Sequence, residues 1–240
     1  MDYPIKVVPT PRPLFYFKKS FKKEYVYDQL LNIINKLHPH RAIHILDVAS
    51  GDGSFALYIR EDRVKKQLAD EIITVGAEDP IEPLYFSYYQ LNVNDKSQLE
   101  QLTNDYRGYF DMILGIDSIE YTDNPKQYLY YLQEMLNEDG QLFLSMTNIN
   151  NPTTRRTFYK KGKMDQFCEG GKCKNIILSH ILVSWATSSN LDLMIEYPIG
   201  FYPKFWLYPN KHALYTTLCN LRMLRFRGSL AKLYIFKKRT

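Results

Sequence analysis

The stretch Asp47-Val-Ala-Ser-Gly51-Asp-Gly53-Ser-Phe55 decides the fold of this 240-residue chain. It continues the apolar run Ala42-Ile-His-Ile-Leu-Asp-Val48, which reads as a buried strand, and it opens onto a helical pattern from Ser54 to about Leu68. Glycine at such a junction lets the backbone turn without a Cβ clash and come close to a ligand. Gly51, Gly53 and Ala56 also satisfy the G-x-G-x-x-A form of a dinucleotide fingerprint, with Glu78 standing 25 residues beyond Gly53 as a ribose acid. A tight turn without a ligand is the plain alternative.

Upstream of this turn, residues 25–37 are amphipathic, with Leu30, Leu31, Ile33, Ile34 and Leu37 on one face. Downstream, strand patterns recur at 71–77, 85–91, 110–115, 141–146, 191–197 and 230–236, and helical patterns at 97–106 and 125–137 separate the middle ones. The alternation through residue 146 predicts an α/β fold, a doubly wound and mostly parallel sheet with helices on both faces. In such sheets ligands sit beyond the carboxyl ends of the strands. Segment 148–190 shows no clear period and reads as an insertion or cap over the site.

Composition sets the outer bounds. A hydrophobic content of 45% with 20 Tyr and 13 Phe supports one sizeable core, and 11 Gly and 12 Pro exclude a collagen-like or disordered chain. Three cysteines give no disulfide framework. Cys168 and Cys173, with His180 nearby, lack the four closely paired ligands of a structural zinc site. Residues 1–23 are broken by Pro, Lys and Arg and lack the apolar centre of a signal peptide. The longest nearly apolar run, 176–186, is about half the ~20 residues of a membrane span. The expectation is a soluble, cytoplasmic protein without a transmembrane segment.

The formal charge of +5 is unevenly spread. Residues 1–23 hold six Lys/Arg against one acid, 24–196 hold 16 against 25, and 197–240 hold nine against none. Basic ends flank an acidic middle, so an anionic partner is expected at the ends.

The motifs taken together resemble the class I S-adenosylmethionine-dependent methyltransferases, nearest to the group containing the ubiquinone-pathway O-methyltransferases and saccharide or small-molecule methyltransferases. Ile45 to Gly53 is similar to their first motif, Val75-Gly-Ala-Glu78 to the second and Gln90-Leu-Asn92-Val93 to the third. Phe110-Asp-Met-Ile-Leu-Gly-Ile-Asp117-Ser-Ile-Glu120-Tyr121, then Pro125, Leu129, Leu132, Leu136 and Asp139-Gly140-Gln-Leu-Phe-Leu-Ser145, resembles their fourth strand, helix, turn and fifth strand. The resemblance runs in order over about residues 40–150.

It implies a Rossmann-like, seven-stranded sheet with an antiparallel last strand, S-adenosyl-L-methionine as cofactor and S-adenosyl-L-homocysteine as product. It places Asp47, Ala49, Ser50, Gly51 and Gly53 beside the methionine part of the cofactor. Glu78, or Asp79 in its stead, falls on the ribose hydroxyls, Asn92 and Val93 at the adenine, and Asp117 also at the donor. A carboxylate accepts two hydroxyl hydrogen bonds, and an Asn amide both accepts and donates, which suits these positions. In these terms the whole of 1–240 is one domain. Residues 1–38 form a basic helical lead, 40–147 the cofactor-binding core, 148–190 the insertion or cap, and 191–240 the last strands with an aromatic cap loop.

Two departures from the family stand out. Ala49 occupies a position where Gly is usual, and Tyr121 stands where related enzymes commonly have His, which removes that His as base or metal ligand. Asp117 and Glu120, three apart at what reads as the start of a helix, remain weak candidates for a divalent cation, with the helix dipole as their other use. Methyl transfer from a sulfonium depends mainly on in-line alignment and exclusion of water, and a hydroxyl acceptor also benefits from a base. Asp117, Tyr121 and His180 are the catalytic candidates, with His212 behind them.

For the acceptor, Gly200-Phe-Tyr-Pro-Lys-Phe-Trp-Leu-Tyr-Pro209 offers rings to stack on a sugar or to dip into a membrane surface, and Arg155 and Arg156 offer charge to an anion. The sequence thus predicts methyl transfer to an O or N atom of a small molecule or saccharide, one that can be anionic. An RNA or other polyanion acceptor, suggested by the basic ends, is the first alternative, and a non-catalytic cofactor-binding member, suggested by Tyr121, is the second.

Overall fold

The computed structural model describes residues 21–77, 87–150, 155, 158–160, 162, 173–199 and 231–239. Its strands are β1 (His44–Val48), β2 (Glu71–Gly76), β3 (Ser87–Gln90), β4 (Phe110–Gly115), β5 (Leu136–Thr147), β6 (Leu191–Ile199) and β7 (Ala231–Lys238). They form one seven-stranded sheet in the order β3-β2-β1-β4-β5-β7-β6. The first five run parallel, and β7 lies antiparallel between β5 and β6.

Alternate residues of the strands feed two apolar layers. Leu46, Val48, Ile73, Val75 and Ile113 pack with α3 (Lys96–Asp105), α4 (Pro125–Met135) and α5 (Ser179–Ser188). Ile45, Ile72, Met112 and Leu114 pack with α1 (Phe21–Leu37) and α2 (Ser54–Lys65), where Leu30, Leu31 and Ile34 supply the buried face expected of α1. Side-chain caps set two of the starts. Asp95 accepts from the backbone N of Ser97 and Gln98 at α3, and Asn124 accepts from Gln127 N at α4, just before Pro125.

The path from β1 outward to β3 and back to β4 makes the β1/β4 boundary the switch point of the sheet, where a crevice opens beyond the strand ends. At the opposite edge, Arg63 of α2 reaches under the sheet. Its guanidinium binds both oxygens of Asp70, at 2.5 and 2.9 Å, and the carbonyls of His38 and Arg41, at 2.5 and 2.7 Å.

Three differences from the sequence reading have physical causes. β5 starts five residues earlier than its apolar run, because Leu136 pairs with Phe110 before a register shift. Segment 148–190 ends in α5, whose Leu182 and Ala186 join the core and which packs on α4 and β6; its polar face, His180, Ser184, Thr187 and Ser188, recurs at helical spacing over only three turns. Asp117 and Glu120 do not open a helix. Asp117 precedes a single 3-10 turn, Ile119–Tyr121, and α4 begins only at Pro125, so the helix-dipole reading is corrected. Among the described residues no helix is long and apolar enough to cross a membrane.

Candidate active site

The site is built where β1 and β4 end. Asp47 is only 2% exposed, its Oδ2 has no hydrogen-bond partner, and burial pushes its pKa up to about 8. The turn after β1 carries three positive φ angles, at Ala49 (58°), Gly51 (58°) and Gly53 (76°). Ser50 N donates to Val75 O at 3.0 Å and Gly53 N to Ser50 O at 3.1 Å, which ties the turn to the end of β2. A Cβ on Gly76 would stand 2.8 Å from the Tyr88 hydroxyl and 3.1 Å from Gly51 O, so glycine there lets β2 press against the turn. The Ser50 hydroxyl is buried and, like Asp47 Oδ2, has no partner.

Beyond β3, Asn92 is exposed and its Oδ1 accepts from Asn94 N at 3.0 Å, while Val93 is half-buried. Asn94 links this rim to the next. Its Nδ2 donates to Tyr121 O at 3.1 Å and its Oδ1 accepts from Asp123 N at 2.7 Å.

Beyond β4, Asp117 adopts φ 50°, a left-handed conformation unusual outside glycine. Ser145 of β5 holds it there. Asp117 N donates to the Ser145 hydroxyl at 2.8 Å, and that hydroxyl donates to Asp117 Oδ1 at 2.6 Å. Asp117 is exposed as a residue, with its carboxyl drawn back toward Ser145. Enclosure raises its pKa, and the Ser145 bond offsets part of the rise. Glu120 lies behind it, 3% exposed, accepting from Thr147 N at 3.2 Å and from the Thr147 hydroxyl at 3.1 Å. Burial first, and then the Asp117 charge, push Glu120 up to about 7.

Residues 173–178 run across this end as a strap. Lys174 N and Asn175 N donate to Glu120 O at 2.8 and 3.1 Å, and at the far end the hydroxyls of Ser179 and Tyr234 lie 2.6 Å apart. Tyr121 is half-exposed and hydrogen-bonded to Cys173 of the strap; that bond and burial raise its pKa, so the phenol donates rather than serving as a base. From the other layer Tyr27 of α1 leans over the turn. Its hydroxyl lies 3.1 Å from the Ser54 hydroxyl, its ring packs on Phe55 with centroids 4.6 Å apart, and burial raises the pKa of its phenol.

The structure therefore brings together Asp47, Ala49, Ser50, Gly51 and Gly53 on one side and Asp117, Glu120 and Tyr121 on the other. His180 is exposed on α5. Glu78, Asp79, Arg156, His212, Cys168 and the aromatic run 200–209 lie outside the described residues. Among the described residues no group of three or more His, Cys, Asp or Glu side chains could hold a metal ion, and Glu120 turns both oxygens to Thr147. Sequence reasoning missed Tyr27, Asn94 and Thr147. Thr147 carried a faint signal, since Ser145 and Thr147 are the polar pair at the end of an apolar strand.

The sheet order and a glycine turn at the β1/β4 switch point define the class I methyltransferase fold. A family model for a methyltransferase domain matches residues 22–193, and the chain belongs to that family. It is an S-adenosylmethionine-dependent methyltransferase. No curated protein matches the sequence. Solved structures share the fold at low identity. The 1,6-didemethyltoxoflavin-N1-methyltransferase of Burkholderia thailandensis, solved with 1,6-didemethyltoxoflavin and S-adenosylhomocysteine, is 12% identical, with 98% of this chain and 95% of that chain covered and a TM-score of 0.56. An S-adenosylmethionine-dependent methyltransferase from Mesorhizobium loti is 10% identical over 90% of this chain and 100% of that one, with a TM-score of 0.60. The (4+2)-cyclase SpnF is 11% identical over 89% and 81%, with a TM-score of 0.55.

Proposed function

We propose that the chain transfers the methyl group of S-adenosylmethionine to an O or N atom of a small molecule or saccharide, with the donor across the β1/β4 switch point. The observation that carries the donor placement is the pair of orphaned buried atoms at one turn, Asp47 Oδ2 and the Ser50 hydroxyl. Buried polar groups are normally satisfied, and the methionine part of the donor supplies what these two lack: an ammonium for the carboxylate and a carboxylate for the hydroxyl. Ala49, Gly51 and Gly53 shape the turn that admits it. Glu78 or Asp79 takes the ribose, Asn92 and Val93 flank the adenine, and the Asn92 amide group is the part of its side chain not bonded to Asn94.

Bound here, the donor supplies an electrophilic methyl group. Asp117 stands beside the acceptor and takes its proton, Tyr121 donates a hydrogen bond, and Tyr27 with the 173–178 strap excludes water. The basic ends serve an anionic part of the acceptor, and they are what supports RNA as the second reading.

A melting scan tests the donor. S-adenosylhomocysteine at about 100 times its dissociation constant adds about 2.7 kcal/mol, a rise of several degrees in a chain of this size, and NAD gives none. A shift with NAD and none with S-adenosylhomocysteine defeats the proposal.

A further inference from the structure

We propose that donor uptake is coupled to proton release: Asp47 is a neutral acid in the free protein and gives up its proton as it takes the donor's ammonium. This rests on the donor reading above. Asp47 stands in the middle of the sheet, 2% exposed, with Thr74 of β2 and Leu114 of β4 in register on either side. Its titratable and polar neighbours are engaged elsewhere. The Thr74 hydroxyl donates to Ser87 O at 3.1 Å, and the Tyr128 hydroxyl of α4 donates to the Ser118 hydroxyl at 3.0 Å. The Tyr27 hydroxyl of α1 lies 3.1 Å from that of Ser54. Of the other acids at this end, Asp52 accepts from Ser54 N at 3.0 Å and Asp117 accepts from the Ser145 hydroxyl at 2.6 Å. Among the described residues no Lys, Arg or His pairs with Asp47, and its buried Oδ2, like the Ser50 hydroxyl, has no partner.

A carboxyl so placed has neither a hydrogen-bond donor nor a counter-charge to hold a negative charge, and a buried acid in that position keeps its proton. Burial accordingly pushes Asp47 up to about 8. The methionine part of the donor brings an ammonium, whose charge and N–H donors supply what the free carboxyl lacks. Near neutral pH the outcome is an exchange. The O–H bond of Asp47 breaks with its electron pair left on oxygen, the proton passes to water, and the carboxylate holds the ammonium. Asp47 takes a proton back when the product leaves, so each turnover passes one proton through this turn. Protons and donor compete for one carboxyl, and affinity therefore falls as pH drops below about 8.

Calorimetric titration with S-adenosylhomocysteine at about pH 6.5, in two buffers of different ionisation enthalpy, counts the protons exchanged. The expected result is release of about one proton per ligand bound, with affinity about tenfold or more weaker at about pH 6 than at about pH 8. Asp47→Asn cannot ionise. It is expected to release about one proton fewer, and the parent's advantage in affinity over it is largest at about pH 8 and shrinks toward about pH 6. Titration of the ligand itself is common to both proteins and cancels in that comparison. Where the variant does not fold, the parent's proton count and pH slope still decide. A count near zero, a proton taken up by the parent, or an equal release by folded Asp47→Asn overturns the inference. Failure of S-adenosylhomocysteine to bind the parent at about pH 8 brings down the donor reading and this inference with it.

Discussion

At the edge where the parallel strands begin, Arg63 and Asp70 are withdrawn from solvent and meet each other through two bonds, and the remaining guanidinium donors take the carbonyls of His38 and Arg41. At the edge where β1 and β4 end, Asp47 is equally withdrawn and its Oδ2 meets nothing. One sheet thus treats its buried acids in two ways. A pair whose partners are all internal fastens α1, α2 and β2 together, whereas the unpartnered carboxyl of Asp47 waits with its proton held up to about pH 8 and is drawn to ionise when a cation arrives.

The comparison breaks first at Arg63. Arg63→Met leaves Asp70 buried without its partner, at a cost of about 3–5 kcal/mol. That is a large part of the roughly 5–15 kcal/mol that holds a typical domain. Urea unfolding is expected to show the loss, with S-adenosylhomocysteine affinity unchanged where the variant remains folded. A loss under about 1 kcal/mol would remove the distinction between the two edges.

Asp47→Asn sharpens the other half. Asp47 titrates near 8 when folded, against an ordinary value of 3.8. Between those values the folded chain holds a proton that the unfolded chain has released, so this group's contribution to stability falls as pH rises from about 4 to about 8 and is level beyond. Glu120, raised to about 7, acts in the same direction. The Asn variant removes only the Asp47 part. It is expected to gain on the parent steadily from about pH 4 to about pH 8 in urea unfolding, while S-adenosylhomocysteine affinity drops about tenfold or more. Parallel stability profiles for the two proteins would place Asp47 among the satisfied charges.

What the sequence reveals follows the range of the forces involved. The central strands β2 and β4 are legible because strands covered on both faces are written in nearly unbroken apolar runs, and the turn after β1 because glycine marks a backbone need locally. The pose of Asp117 is not legible, since its left-handed backbone is held by Ser145, 28 residues away. Glu120 reads as a helix-dipole acid because its neighbours in sequence suggest a helix, whereas its partners come from Thr147 and the 173–178 strap. Tyr27 is hidden in a helix whose visible signal is its apolar face, and only the packing of α1 on α2 sets its ring on Phe55 and its hydroxyl beside Ser54. The turn after β1 is therefore written in a local motif, whereas the surroundings of Asp117 and Glu120 depend on contacts between distant segments.

Ala49 carries the smallest of these effects. At φ 58° its Cβ crowds the following carbonyl, which costs an L-residue about 1–2 kcal/mol, and glycine relieves this. Glycine also frees the unfolded chain, which takes back about 0.4–1 kcal/mol. Ala49→Gly is thus expected to stabilise by up to about 1.6 kcal/mol, a rise of at most roughly 6 °C in Tm. The turn should keep its shape, because Ser50 N on Val75 O and Gly53 N on Ser50 O hold it without help from residue 49. S-adenosylhomocysteine affinity should then stay as it was, which separates strain in the turn from the waiting carboxyl beside it. A gain in Tm bought with a loss of affinity would instead show that the stiffness of Ala49 presents Asp47 and Ser50 to the donor, and that the unsatisfied edge includes its backbone as well as its carboxylates.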